Sequence, residues 1–323
     1  MSVISFGHDK VPEGALRGVL FAILSAASFG MSGPFAKSLM DSGWSAGGTT
    51  LIRIASAATV LLLIAVAVER RLPRPSVAAL LYGVVAVALV QLSFIFSLQT
   101  LSVGVTLMIQ FLAPILVIGW DWLVEDRRPS RRTLCGAVFA LVGAVFVVDP
   151  FTDVHVSGTG LAWAFLSTFG LAGFFVISQR SSAKSGTISF AAGGMTLGAL
   201  VVALAGLVGL PIHAAATTQQ LAGATVPWFL TLAGLVLAST VLPYLAGIAA
   251  IARIGATLAS LVLLSEVMFG ALFAWLLLDQ SVSVVQAAGG LCIVGGVALA
   301  HLGGAGAVPE TVVVQPVTEP ARA

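Results

Sequence analysis

Residues Val103–Val148, VGVTLMIQFLAPILVIGWDWLVEDRRPSRRTLCGAVFALVGAVFVV, read as an apolar segment of membrane length, a short charged connection and a second apolar segment. The same pattern returns in Ile254–Ala300, IGATLASLVLLSEVMFGALFAWLLLDQSVSVVQAAGGLCIVGGVALA. Gly104, Thr106 and Leu107 match Gly255, Thr257 and Leu258 at a spacing of 151. Trp122, Asp126, Gly136 and Gly143 match Trp275, Asp279, Gly289 and Gly296 at 153, so a duplicated unit has gained two residues in one copy. The connections diverge. Glu125-Asp126-Arg127-Arg128-Pro129-Ser130-Arg131-Arg132 holds four arginines, and Asp279-Gln280-Ser281-Val282-Ser283 holds none. Arginine in short loops marks the cytoplasmic side, so the two copies cross the membrane in opposite senses. Inverted repeats of this kind imply a transporter architecture.

Composition agrees with a membrane protein: 59% of residues are hydrophobic, 9% are charged, and the mean hydropathy is +1.08. The 323 residues leave room for about ten spans of roughly 20 apolar residues each. The fold class expected is therefore an all-α membrane protein of ten transmembrane helices, arranged as two inverted five-helix repeats. A net charge of +2 confined to loops excludes nucleic acid as a natural partner. Cys135 and Cys292 both sit in apolar runs, where cysteine serves as a small packing residue.

In order, 1–15 form a cytoplasmic tail, 16–148 the first repeat, 158–302 the second, and 303–323 a disordered cytoplasmic tail. Lys10 and Arg17 before the first apolar run resemble a secretory signal. Gly18, Ala22, Leu24 and Ser25 nevertheless match Gly160, Ala164, Leu166 and Ser167, which assigns that run to the fold. Helices are expected over about 16–39, 49–68, 76–98, 104–124, 133–148, 158–178, 187–210 and 225–250, with helix 9 after Arg253 and helix 10 ending near His301. Pro243 should kink helix 8, and an uncharged outer loop should join helices 7 and 8.

With both termini inside, Arg70, Arg71, Arg74, Arg127, Arg128, Arg131, Arg132, Arg180, Lys184 and Arg253 fall in cytoplasmic loops and no basic residue falls in an outer loop. This asymmetry orients the chain with both ends on the inner side, and the location expected is a plasma membrane, the bacterial cytoplasmic membrane.

Ionisable groups inside spans are costly and point to function. Glu266 lies near the middle of helix 9 with Ser265 beside it, so it is either protonated and hydrogen-bonded locally or faces a wet cavity, where it could couple protons or contact substrate. Arg53 could bind a carboxylate or phosphate, snorkel outward, or pair with Asp41. Lys37, nearer the surface, reads as a snorkelling residue. Pro114 removes a backbone hydrogen bond in mid-helix 4, and Gln110 lies four residues earlier on the same face, so together they could wall a site. Gln91 in helix 3 either lines the cavity or bonds a neighbouring helix. Trp163 in helix 6 flanks the cavity or belongs to the outer aromatic belt, and Asp121 beside Trp120 and Trp122 reads as a solvated carboxylate in an aromatic belt. No catalytic or metal-ligating constellation is found: His8, His155, His213 and His301 are scattered, and no nucleophile elbow or phosphate loop occurs. No cofactor is expected.

The paired Gly104 and Gly255, Leu112-Ala113-Pro114-Ile115, Leu264-Ser265-Glu266-Val267, Trp275-Leu276-Leu277-Leu278-Asp279, and Gln286 with Gly289 and Gly296 resemble the EamA-type permeases of the drug/metabolite transporter superfamily over about 16–302. Arg53 is similar to an arginine often found in the second helix of that family. Relatives commonly place proline directly after the helix-9 glutamate, and Val267 stands there, leaving open whether helix 9 breaks as helix 4 does. The resemblance implies a ten-helix basket around a central cavity, alternating access, and small-molecule cargo such as amino acids or related amphipathic organic molecules, often exported. Pairing into a homodimer is left open. The rival readings are a polytopic membrane enzyme, disfavoured by the lack of catalytic spacing, and a non-transporting sensor, disfavoured by the lack of a sizeable soluble domain.

Overall fold

The computed structural model describes residues 13–70, 76–98, 100–101, 103–148, 157–278 and 283–304. The two expected tails fall largely outside these residues, as do Arg71, Arg74, Asp149, Pro150, Asp153, His155 and Asp279. The first repeat comprises α1 (Glu13–Gly30), α2 (Ser32–Asp41), α3 (Ala46–Glu69), α4 (Val77–Leu81), α5 (Val90–Leu98), α6 (Val103–Gln110), α7 (Ala113–Leu123) and α8 (Arg131–Val148). The second comprises α9 (Gly158–Ser185), α10 (Thr187–Leu207), the strands β1 (Thr218–Leu221) and β2 (Ala224–Pro227), α11 (Trp228–Ala233), α12 (Leu242–Leu263), α13 (Glu266–Leu278) and α14 (Val284–Gly304). Helix starts follow local chemistry. Ser45 caps α3 by accepting the Gly48 N–H at 3.0 Å, and Ser76 caps α4 by accepting that of Ala79 at 3.1 Å.

Among the described residues, seven helices are long and apolar enough to cross a membrane. The other expected spans are helical but shorter. Helix 4 is divided into α6 and α7, helix 5 is α8, and helix 9 begins as the end of α12 and continues as α13. At Gly255, with φ of 78°, the chain turns from helix 8 into helix 9 through a single residue in a conformation that suits glycine.

The duplication is visible in the backbone. A π-helical segment, Tyr82–Leu89, joins α4 to α5, and another of equal length, Gly234–Val241, joins α11 to α12 at a spacing of 152. Helices 4 and 9 break at matching places, Phe111-Leu112 and Leu264-Ser265. Both breaks carry the same tightened turn: Leu112 N–H donates to Ile109 O at 3.1 Å and Ser265 N–H to Val262 O at 3.0 Å. Leu116 N–H then reaches Leu112 O at 3.4 Å, and Phe269 N–H reaches Ser265 O at 3.2 Å. Helix 9 therefore breaks without proline, which resolves the question posed by Val267. The Ser265 hydroxyl satisfies the Val262 carbonyl at 2.7 Å.

Packing exchanges elements between the repeats. α1 lies against α12 and α13, while α9 lies against α5, α6 and the first π segment. Two serines that the duplication aligns hold these swapped contacts: Ser25 donates to Pro243 O at 2.8 Å, and Ser167 to Val90 O at 3.2 Å. α8 packs on α14 through the duplicated glycines. A Cβ on Gly136 would lie 2.5 Å from Gly296 O, and one on Gly143 equally close to Gly289 O. Small residues allow this backbone approach where lipid offers no hydrophobic gradient. The main core gathers Tyr82, Phe174, Phe175, Phe190, Met195 and Tyr244 at the swapped interface.

One feature departs from the expected uncharged loop after helix 7. It holds the antiparallel hairpin β1–β2, which hydropathy does not distinguish from a polar loop. Trp44 Nε1 donates to Ala215 O at 2.6 Å, Ser45 exchanges backbone and side-chain bonds with Pro211 and His213, and Thr217 donates to Ser42 O at 3.0 Å. Ala222 N–H reaches Leu277 O at 2.8 Å. This loop therefore covers the C-terminal ends of α2 and α13 and the N-terminal end of α3.

Candidate transport site

Arg53 lies on the second turn of α3 with only 8% of its surface exposed. It neither snorkels nor pairs with Asp41, whose partner is Lys37 at 3.1 Å with both side chains exposed. Instead Arg53 Nε donates to Thr240 Oγ1 at 2.7 Å and Nη2 donates to Ser239 O at 3.1 Å. The acceptors exist because helix 8 is irregular there. Pro243, four residues beyond Ser239, has no N–H to give that carbonyl, and the π segment ends at Val241. The Thr240 hydroxyl is itself fixed by donating to Leu235 O at 2.7 Å. Helix 8 thus grips the guanidinium.

Tyr244 is one turn beyond Thr240. Its ring meets Phe29 edge-on at 5.2 Å. Beside Phe29, Gly30 is so close to α13 that a Cβ there would lie 2.7 Å from Gly270 N. Glu266 is one turn below Gly270 and is the first residue of α13, which places its carboxylate at the positive end of that half-helix. Glu266 keeps part of its surface accessible. No carboxylate of the described residues is within 4.0 Å of the guanidinium.

The structure therefore brings Arg53, Ser265 and Glu266 to one region and adds Ser239, Thr240 and Tyr244. Tyr244 is one of only two tyrosines in the chain, and Tyr82, the other, opens the first π segment. Gln110 takes another place, donating to Ser167 Oγ at 2.8 Å in the swapped contact between helices 4 and 6. Pro114 is buried in the first turn of α7, just after the break. Trp163 stacks on Phe96 at 5.0 Å and stays 39% exposed near the outer end of α9.

Asp121 is not a solvated carboxylate. It is 9% exposed, accepts from Thr257 Oγ1 at 2.5 Å, and so ties the C-terminal end of α7 to the start of helix 9. Beside it, Gln179 Oε1 accepts the Ala256 N–H, and Arg180 holds Glu125 at 2.7 Å while lying over the Trp120 ring. The C-terminal ends of helices 4 and 6 and the start of helix 9 are thereby drawn together. A small, mostly apolar hollow bounded by Met268, Leu272 and Gln286 lies between α8, α13 and α14 and holds no charged group.

A solved crystal structure superposes with a TM-score of 0.73 over 91% of this chain and 99% of the other, at 16% identity, and so shares the fold. The uncharacterized inner membrane transporter YicL of Salmonella typhimurium is 26% identical over 297 residues, covering 88% of this chain and 95% of YicL. The threonine/homoserine exporter RhtA of Escherichia coli K12 is 27% identical over 277 residues, covering 83% of this chain and 85% of RhtA. The EamA-like transporter family model matches residues 16–149 and 158–302, one match per inverted repeat, and this chain belongs to the EamA-like transporter family.

Proposed function

We propose that this transporter moves small metabolites of the amino-acid class outward across the bacterial inner membrane, by alternating access between its two swapped halves, with Glu266 carrying the coupling proton. The observation that carries the reading is a buried arginine gripped by helix 8 and a glutamate at the start of α13, on elements brought together by Phe29 against Tyr244 and Gly30 against Gly270. Charges held in that way are costly unless they serve a ligand or ion. Likeness to an exporter of threonine and homoserine supports the cargo class and the direction. Likeness to an inner membrane transporter supports the location, and the confinement of basic residues to one set of loops supports cytoplasmic termini.

Uptake of labelled amino acids and organic cations into proteoliposomes, with and without an imposed proton gradient, tests the reading. Gradient-driven flux of an amino acid is expected. A Glu266→Gln variant that transports at the wild-type rate with an unchanged pH dependence would exclude the coupling role.

A further inference from the structure

We propose that the space between Arg53 and Glu266 is a two-point site for a zwitterion, binding the carboxylate of an α-amino acid on the guanidinium and its ammonium group on the Glu266 carboxylate. This rests on the amino-acid reading above and adds the orientation and the rule of selection.

Arg53 is anchored but not used up. Of its five N–H donors, two are engaged, by Thr240 Oγ1 and Ser239 O. The rest have no protein acceptor among the described residues. Glu266 has no hydrogen-bond or ion-pair partner among them either. Two buried opposite charges would normally close into direct contact. Here they are held apart, because helix 8 grips the guanidinium and the Leu264-Ser265 break fixes where Glu266 begins α13. A ligand bearing both charges completes both groups together. An anion leaves Glu266 uncompensated and a cation leaves Arg53 so, and each penalty falls on a buried charge. Tyr244, one turn beyond Thr240, offers a neutral hydrogen bond that does not disturb this balance.

The test measures binding to purified protein by calorimetry with three probes: threonine, N-acetylthreonine, which lacks the ammonium, and threoninol, which lacks the carboxylate. In the wild type each deletion should weaken binding by about tenfold or more, the range expected for a hydrogen bond to a charged group. Arg53→Gln should abolish the preference for threonine over threoninol and keep the preference over N-acetylthreonine. Glu266→Gln should do the reverse. Arg53→Lys should retain both preferences, which separates loss of charge from loss of fold. The proposal is overturned if either variant loses both preferences equally, or neither, while the protein remains monodisperse. Wild-type binding of threonine without the crossed pattern defeats this inference alone; absence of threonine binding and transport in the wild type defeats the amino-acid reading as well.

Discussion

Arg53 Nη2 donates at 3.1 Å to the carbonyl of Ser239, the acceptor that Pro243 deprives of its α-helical donor. A proline in one repeat thus makes the binding point for an arginine of the other. The duplication aligns Pro243 with Val90 or Gln91, so the first repeat has no such proline and offers no matching grip. The transport site is accordingly asymmetric in a protein whose backbone is nearly symmetric.

Replacing Arg53 with methionine should abolish transport and also lower stability, since Ser239 O and Thr240 Oγ1 lose a charged donor. The expected cost is about 1.5–3 kcal/mol, read as a lower midpoint of thermal unfolding in detergent. Pro243→Ala returns an N–H to compete for Ser239 O, and should raise KM with the fold intact.

Gly136 and Gly296 allow no side chain, because the nearest atoms to an added Cβ are backbone and cannot swing away. Gly136→Val should destabilise by about 1–3 kcal/mol through forced separation of α8 and α14. Gly119, with nothing within 4 Å of an added Cβ, is the control, and Gly119→Ala should be neutral. Thermal size-exclusion profiles of the two variants check this.

Two inner contacts of similar appearance should differ in weight. Asp121 and Thr257 are joined at 2.5 Å with Asp121 buried, whereas Arg180 is half exposed in its pair with Glu125. A double-mutant cycle of Asp121→Ala and Thr257→Val should give a coupling of about 1.5–3 kcal/mol, and Glu125→Gln should cost roughly 0–1 kcal/mol. Breaking the Asp121 contact should also speed thiol labelling of a Ser265→Cys reporter from the cytoplasmic side. Unchanged labelling would show that this contact does not restrain inner opening.

Thr217 donates to Ser42 O at 3.0 Å and links the hairpin loop to the turn between α2 and α3. A protein carrying Ser42→Cys and Thr217→Cys should lose transport under oxidant and regain it on reduction, if these segments part during each cycle. Retained transport in a fully cross-linked sample would show that they move together.

Much of this protein follows from its sequence alone. The spacings of 151 and 153 reveal the duplication, the arginines of 125–132 lead to the expectation that its copies are inverted, and Arg53 and Glu266 stand out because charge is rare in apolar spans. Hydropathy reports how deep a residue lies, however, and not which neighbour it faces. That Arg53 meets helix 8, that Asp121 is buried against Thr257, and that helices 1 and 6 pack on the opposite repeats were decided only when the helices assembled. The break at Leu264-Ser265 and the two π segments have the same origin. Each shifts backbone hydrogen bonds by one position without changing composition, so neither a hydrophobic pattern nor a proline announces it, and packing between the repeats selects it.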